Sequence, residues 1–388
     1  MAVVGYGGKV TSYDLAVGVK INMDELIYMI SPTDSPFING IGTDGRQLLG
    51  SSSVDQQEFK WMDEELLIPR ATVTDTGAAG AGVTDVTVST SDIYKFQVDD
   101  LITIGEADAA VNAAVKRVTH VNLTAGVLTL ADWANSADWP ATTAAHADTV
   151  ICVGTALVEG SDPGEARSAD RTIRTNCTQI FGPTPIHMSR TEQQVSRYGV
   201  SDEFAKQVYG RTVENVITRE QAYLYGQYNN DTSNKRRSTG GLNYHITSNT
   251  DTSTTLTLAA LEALQQKCYN AGGMPDLLIA NPASFATLND SGNTDTVRHV
   301  IDDPRRGRVP TMSIFTEFGE TQAVRNRWCH AETAFLITKE GVSRRVMQPL
   351  VVEALAKTGD SDKVQIVCEE GLQVKGEAHM GKFTTLTA

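Results

Sequence analysis

Cysteine is scarce in this 388-residue chain, and the five present, Cys152, Cys177, Cys268, Cys329 and Cys368, are widely separated with no Cys-x-x-Cys pair. That spacing signals neither a thiolate zinc site nor a disulfide framework, and buried free thiols are the expected state. No stretch approaches the ~20 apolar residues of a membrane span. The opening MAVVGYGGKV has neither the charged n-region nor the apolar h-region of a signal peptide. The chain therefore reads as cytoplasmic, and the Asn-x-Thr sequons at Asn122, Asn176 and Asn230 carry no meaning without secretion. Positive charge is also short: 33 Lys and Arg against 47 Asp and Glu give a formal net charge of −14. Such a chain repels DNA on average, which argues against a nucleic-acid coat or a sticky membrane surface.

Complete catalytic motifs are missing as well. Gly376-Glu-Ala-His-Met-Gly381-Lys382 has phosphate-loop spacing, but Phe383 stands where a magnesium-binding Ser or Thr is required, and too little chain follows for a helix. Gly77, Gly80 and Gly82 do not form a dinucleotide fingerprint, and there is no Gly-x-Ser-x-Gly elbow or His-Glu-x-x-His pair. The histidines are scattered without ligand spacing. Asp63-Glu64-Glu65 is a poor acid/base pair because neighbouring residues on an extended segment face opposite ways, so a solvated edge or a contact between subunits is the better reading. No enzyme, cofactor or metal is indicated.

What is present begins with a long amphipathic run from Ser201 to about Tyr228. Phe204, Val208, Val213, Val216, Ile217, Leu224 and Tyr228 recur at helical spacing, with Lys206, Arg211, Glu214, Arg219 and Glu220 mostly between them. Ser201 is the expected N-cap, with Asp202 and Glu203 in the first turn. At 1.5 Å per residue this helix is roughly 40 Å long, an organising element whether in an enzyme core or elsewhere.

Around it the chain divides into modules. Residues 1–50 form an arm rich in Gly, Ser, Thr and Pro, where Pro32 and Pro36 forbid a regular helix after a short helical patch at Asp24–Ile30. Residues 51–71 and 156–192 read as two extended legs of one interrupted hairpin. Between them, residues 72–155 are rich in Ala, Thr, Val and Gly, with β-prone runs at 83–88, 101–104, 115–121, 127–130 and 150–153, as in a small barrel or sandwich. Past the module that holds the long helix (residues 193–254), a second helix at Leu258–Cys268 is closed by Gly272-Gly273, and a buried strand at Leu277–Ala280 is stopped by Asn281-Pro282. A polar segment at Asn289–Asp295 and a basic turn at 302–308 come next. Strands at 312–318, 322–328, 334–338, 346–354 and 364–375 complete an α+β fold with a largely antiparallel sheet. The basic clusters Lys235-Arg236-Arg237 and Arg305-Arg306-Gly307-Arg308 lack interleaved aromatics, which favours solvated loops or salt bridges between subunits over nucleic acid.

This order of parts resembles the major capsid proteins of tailed bacteriophages with the Hong Kong 97-type fold. The similarity is greatest to the subgroup whose extended loop carries an inserted β-domain. It is carried by Ser31-Pro-Thr-Asp-Ser-Pro-Phe37, Phe59-Lys-Trp-Met-Asp-Glu-Glu-Leu66, Asn176-Cys-Thr-Gln-Ile-Phe181, the helix through Glu220–Gly226, Asn281-Pro282 and Thr316-Glu-Phe-Gly319.

The resemblance implies a structural protein that assembles with itself into hexamers, pentamers and a closed icosahedral shell in the host bacterial cytoplasm. The shell ends in the virion, enclosing dsDNA without sequence-specific binding and without a membrane. Portal, scaffolding and decoration proteins are candidate partners. It also implies a peripheral domain on the long helix, an axial domain at 255–345, and C-terminal strands (346–388) returning to the peripheral domain. Contacts between subunits are expected at Asp34, Phe37, Ile38, Ile41, Trp61, Glu64, Glu65, Arg70, Arg236, Arg237, Arg305, Arg306 and Arg308. Some relatives seal the shell with a Lys-Asn isopeptide bond. Here Lys60 lies at the root of the loop, with no matching partner, so that activity is not expected. Some relatives begin with a helical scaffolding segment that is removed. None is seen here, implying separate scaffolding or a processed chain. The other classes considered are a tail or adhesin-like component and an α+β enzyme.

Overall fold

The computed structural model describes residues 32–40, 48–74, 84–105, 115–133, 149–162, 170–196, 200, 202–291, 296–303, 307–357 and 359–387. They form two compact units, one of residues Met1–Trp61 with Arg174–Ala388, the other Met62–Ile173. The helical patch expected at Asp24–Ile30 lies outside the described residues.

The second unit is a small antiparallel barrel. Its strands follow the order Arg70–Thr72, Thr149–Thr155, Asp100–Gly105, Lys116–Asn122, Val127–Asp132, Asp85–Thr87. An antiparallel bridge between Val73 and Val88, with Thr74 N donating to Thr87 O at 2.9 Å, joins the last strand back to the first. Closure removes the open sheet edges that would otherwise pair with other chains. Alternation builds the interior: Val86, Val88, Ile102, Val118, Leu128, Leu130 and Val150 point inward with Ile93 and Phe96.

The first unit holds a four-stranded and a seven-stranded sheet, besides the small ribbon Asn229–Asp231 with Arg236–Ser238. In the four-stranded one, Gly50–Ser53 lies parallel to Val342–Ala354, followed by Ser361–Val374 and Gln179–Ser189. The long helix, Glu203–Tyr225, packs on the last two of these strands. A bulge at Phe181/Thr184 is built around Gly182, whose φ of +103° and approach to Ile366 O exclude a side chain. The other sheet runs Thr250–Asp251, Gly381–Phe383, Ala334–Ile337, Leu277–Ala280, Gly319–Arg325, Gly307–Thr316, Thr296–Asp303. The final strand therefore joins this second sheet, and only the C-terminal strands up to Val374 stay with the long helix.

Leu277–Ala280 and Ala334–Ile337 are continuous apolar runs because both their faces are buried. Leu277, Ile279, Phe335 and Ile337 face a core with Tyr223 and Leu224 of the long helix, whereas Leu278, Ala280, Ala334 and Leu336 face helices Leu258–Asn270 and Pro282–Ser291. The helix from Pro282 replaces the expected break: Asn281 Oδ1 accepts from Ala283 N at 3.0 Å, and proline is tolerated at a first helical position.

Two expectations about the long helix are corrected. Its N-cap is Asp202, whose Oδ1 accepts from Ala205 N at 3.1 Å. Its fully buried residues are Asn215, Arg219, Glu220, Tyr223 and Leu224, while Val216 and Ile217 are only half-buried. Two charged residues thus occupy the inward face, because distant parts of the chain supply partners for both.

Candidate assembly surface and a buried polar network

Four buried or half-buried carboxylates tie the first unit together. Glu370, on strand Ser361–Val374, accepts from Arg219 Nη1 at 3.0 Å and from Tyr223 Oη at 2.8 Å, with Arg344 3.8 Å away. Burial, and then the adjacent Glu370 charge, push the Tyr223 hydroxyl well above its ordinary pKa, so it stays a donor. Its neighbour Glu369 accepts from Thr178 Oγ1 at 2.6 Å and Arg237 Nη2 at 2.8 Å.

Glu377, in the near-miss phosphate loop, has a structural task. It accepts from Thr247 N (3.0 Å), Ser248 N (3.2 Å), Ser248 Oγ (2.6 Å) and Arg174 Nη2 (3.0 Å). Burial acts to raise its pKa, but the hydrogen bonds from Ser248 and Thr247 and the Arg174 charge outweigh it and hold the carboxyl below the ordinary range. Glu220 accepts from three N–H donors and is described further below.

Glu377, through Arg174, and Glu369, through Thr178, hold the root of Asp170–Cys177, which pairs with Glu58–Glu65. Trp61 is buried, stacked on Phe59 with centroids 6.0 Å apart and tilted against His245 at 5.6 Å. Burial, with the nearby Arg174 charge, pushes His245 down to about 4, so it packs as a neutral ring. Asn176 is wholly buried and donates to Gly240 O (2.9 Å) and Leu372 O (2.5 Å), while its Oδ1 accepts from Gly240 N (2.8 Å). The adjoining Gly241 has no room for a Cβ, which would lie 2.7 Å from the carbonyls of Ala222 and Tyr223.

Apolar surface is left exposed on the second unit. Met62, Leu66, Ile68, Val153 and Ile173 are 59–72% exposed, joined by Ile151, Leu157 and Val158. Ile151 and Val153 stand on the outside of the barrel, since Val150 between strand partners is buried in its core. The segment bearing Leu66 and Ile68 runs alongside, with Pro69 O accepting from Cys152 N at 3.0 Å. Charges of both signs accompany this surface: Glu64, paired with Arg171 at 3.3 Å, and exposed Arg70.

Several residues expected at contacts between subunits are instead used within this chain. Phe37, Ile38 and Trp61 are buried in their own subunit, because the turn Pro36–Asn39 packs into the core and the leg root stacks on aromatics. Arg237 is half-buried against Glu369. Asp34, Glu64, Arg70 and Arg236 remain exposed, although Asp34 pairs with Arg327 at 2.9 Å. Ile41, Arg305 and Arg306, and the side chains of Glu65 and Arg308, lie outside the described residues.

The sequence pattern places Arg219 and Glu220 between the apolar positions of the long helix and Glu377 in the near-miss phosphate loop, but gives none of them, nor Glu370, a buried role. For Glu370 a signal exists: it occupies the inward phase of Val364, Ile366, Cys368, Leu372 and Val374. Among the described residues no His, Cys, Asp or Glu cluster could hold a metal, and no helix is long and apolar enough to cross a membrane.

Comparison with known proteins places these features. Residues 6–387 match the family described as SU10 major capsid protein. No curated protein matches the chain. Among solved structures it is similar to Microbacterium phage Oxtober96, at 9% identity and TM-score 0.51, over 98% of this chain and 100% of that one. It is also similar to the capsid of Myoviridae phage XM1, at 9% identity and TM-score 0.50, with the same coverage. At these identities the likeness is one of fold.

Proposed function

The chain belongs to the SU10 major capsid protein family, and from that premise we propose that copies of it associate as hexamers and pentamers, through the exposed face of the Met62–Ile173 unit, into a closed shell around dsDNA. It is a phage shell protein with the α+β Hong Kong 97-type fold, its role is structural, and its place is the virion. The observation that carries the finer reading is the exposure of five apolar side chains of this unit, Met62, Leu66, Ile68, Val153 and Ile173. Burying a side chain of this kind contributes about 1.5–3 kcal/mol, and a two-stranded ribbon is marginal alone, so the paired legs gain stability when a neighbouring copy covers them.

The remaining assignments follow the same reading. The long helix and four-stranded sheet serve as the peripheral domain, and the seven-stranded sheet with its two helices as the axial domain. A net charge of −14 suits a wall that encloses DNA without gripping it. Assembly takes place in the host cytoplasm, and portal, scaffolding and decoration proteins are the remaining partners. Changing Leu66 and Ile68 together to Ser tests the face: the subunit is expected to melt as wild type while shell yield on a density gradient collapses. Undiminished shell yield overturns the assignment of this face.

A further inference from the structure

The backbone amides of the turn Pro36–Asn39 are nearly all spoken for. Phe37 N donates to Glu220 Oε1 at 2.8 Å and Ile38 N to Glu220 Oε2 at 3.1 Å, with Asn326 Nδ2 as the third donor to that buried carboxyl at 2.7 Å. Asn39 N donates to Ser35 O at 3.0 Å. The next amide, Gly40 N, has no partner of ordinary hydrogen-bond geometry among the described residues. Gly40 itself is dictated by packing: a Cβ there would lie 1.9 Å from Pro36 O and 2.6 Å from Leu48 Cδ1.

Asn39 stands between the buried turn and that unengaged amide. Its side chain is exposed, whereas the neighbouring Phe37 and Ile38 are core residues. The carboxamide is tethered at one point, where Nδ2 donates to Ser35 Oγ at 2.6 Å. Of all the asparagines in the chain, Asn39 alone is followed by glycine. A backbone nitrogen one residue beyond an asparagine can close on the side-chain Cγ through a five-membered ring, an intramolecular attack that needs no second molecule. Two things ordinarily oppose it, the bulk of the following side chain and a hydrogen bond that occupies the amide. Neither is present here.

We propose that Asn39 is a site of spontaneous covalent modification, at which Gly40 N displaces the side-chain amide and water then opens the ring. The Gly40 N–Cγ bond forms and the Cγ–Nδ2 bond breaks. The proton lost by Gly40 N is balanced by the one gained by Nδ2, which leaves as ammonia. Water adds across either ring carbonyl–nitrogen bond, giving aspartate or isoaspartate at position 39, and water is the only co-reactant. Either product sets a new carboxylate in the segment that already holds Asp34 and lies on Glu220. Isoaspartate also lengthens the backbone by one carbon beside Gly40, whose surroundings leave no slack and whose carbonyl accepts from Leu48 N at 3.0 Å. The modified chain therefore holds this turn less tightly, and a subunit carries a covalent record of its age.

Peptide mapping by mass spectrometry of unassembled subunit during prolonged incubation tests the site. The peptide holding Asn39 is expected to gain about 1 Da as two separable products, at least ~10-fold faster than the peptide holding Asn234, an exposed asparagine followed by lysine. The rate is expected to rise between roughly pH 6 and 8, because the attacking amide must lose its proton, and to stay within about 10-fold of the rate in urea-unfolded chain. Asn39→Gln is expected to abolish the change at that peptide. An Asn39 that converts no faster than Asn234, a rate independent of pH, or a folded rate far below the unfolded one overturns the site; the wild-type measurements decide alone if Asn39→Gln does not fold. Hydrogen exchange over residues 34–40 is expected to be faster in the modified fraction. Equal protection in both fractions overturns the loosening and leaves the modification intact.

Discussion

Replacing Arg219 by Leu deletes the cation that faces Glu370 in the core and leaves a carboxylate whose side chain is 3% exposed. Removing one partner of a buried pair costs about 3–5 kcal/mol, because the survivor keeps its desolvation penalty without its counter-charge. Here the Tyr223 hydroxyl remains, and Arg344 at 3.8 Å still supplies positive charge, so the low end, about 3 kcal/mol, is expected. The same helix carries an internal control. Arg211 pairs with Glu214 at 2.6 Å, but both side chains are largely in water, and Arg211→Leu is expected to cost no more than about 0.5 kcal/mol. Urea unfolding of the unassembled subunit, followed by tryptophan fluorescence, measures both. The reasoning is refuted if Arg219→Leu lies within about 1 kcal/mol of wild type, or costs no more than Arg211→Leu.

Phe37→Ala is expected to destabilise the isolated subunit by about 3–5 kcal/mol, as for a wholly buried aromatic; a melting curve matching wild type would put Phe37 back among contacts between subunits. Glu377→Gln is expected to cost most at neutral pH and progressively less in acid. A carboxyl whose pKa is depressed in the folded state contributes stability above its unfolded value and loses it as pH falls through the folded one. Denaturation midpoints of the two proteins from neutral pH down to about pH 3 follow the gap, and a constant gap contradicts the assignment.

The parts of this fold legible from the sequence are those fixed by local pattern. The barrel strands announce themselves through alternation and turns, so Val118 and Val150 are readable as inward. The long helix is readable from its length and from Asp202-Glu203. Its buried face is not, because what makes Arg219 tolerable is Glu370, 151 residues away, and what makes Glu220 tolerable is a turn near the other end of the chain. Periodicity assigns charge to water by default and has no means of seeing a distant partner. The turn Pro36–Asn39 is hard to read for a related reason. Prolines and glycines around Pro36 argue against regular structure, yet Phe37 and Ile38 need only one turn and a carboxylate cap to enter the core. Asn281-Pro282 is a different lesson, since a dipeptide that ends a strand also serves as the cap and first residue of a helix. The apolar face of Leu66 and Ile68 is visible in the sequence as hydrophobicity, but its exposure follows only from the closed barrel beside it.

Electron microscopy of the purified full-length protein after assembly tests the shell directly. Closed icosahedral particles are expected, with the Met62–Ile173 face covered by a neighbouring copy in the reconstructed map. Particles that remain dispersed single subunits under all assembly conditions, or shells in which that face is open to solvent, would contradict it.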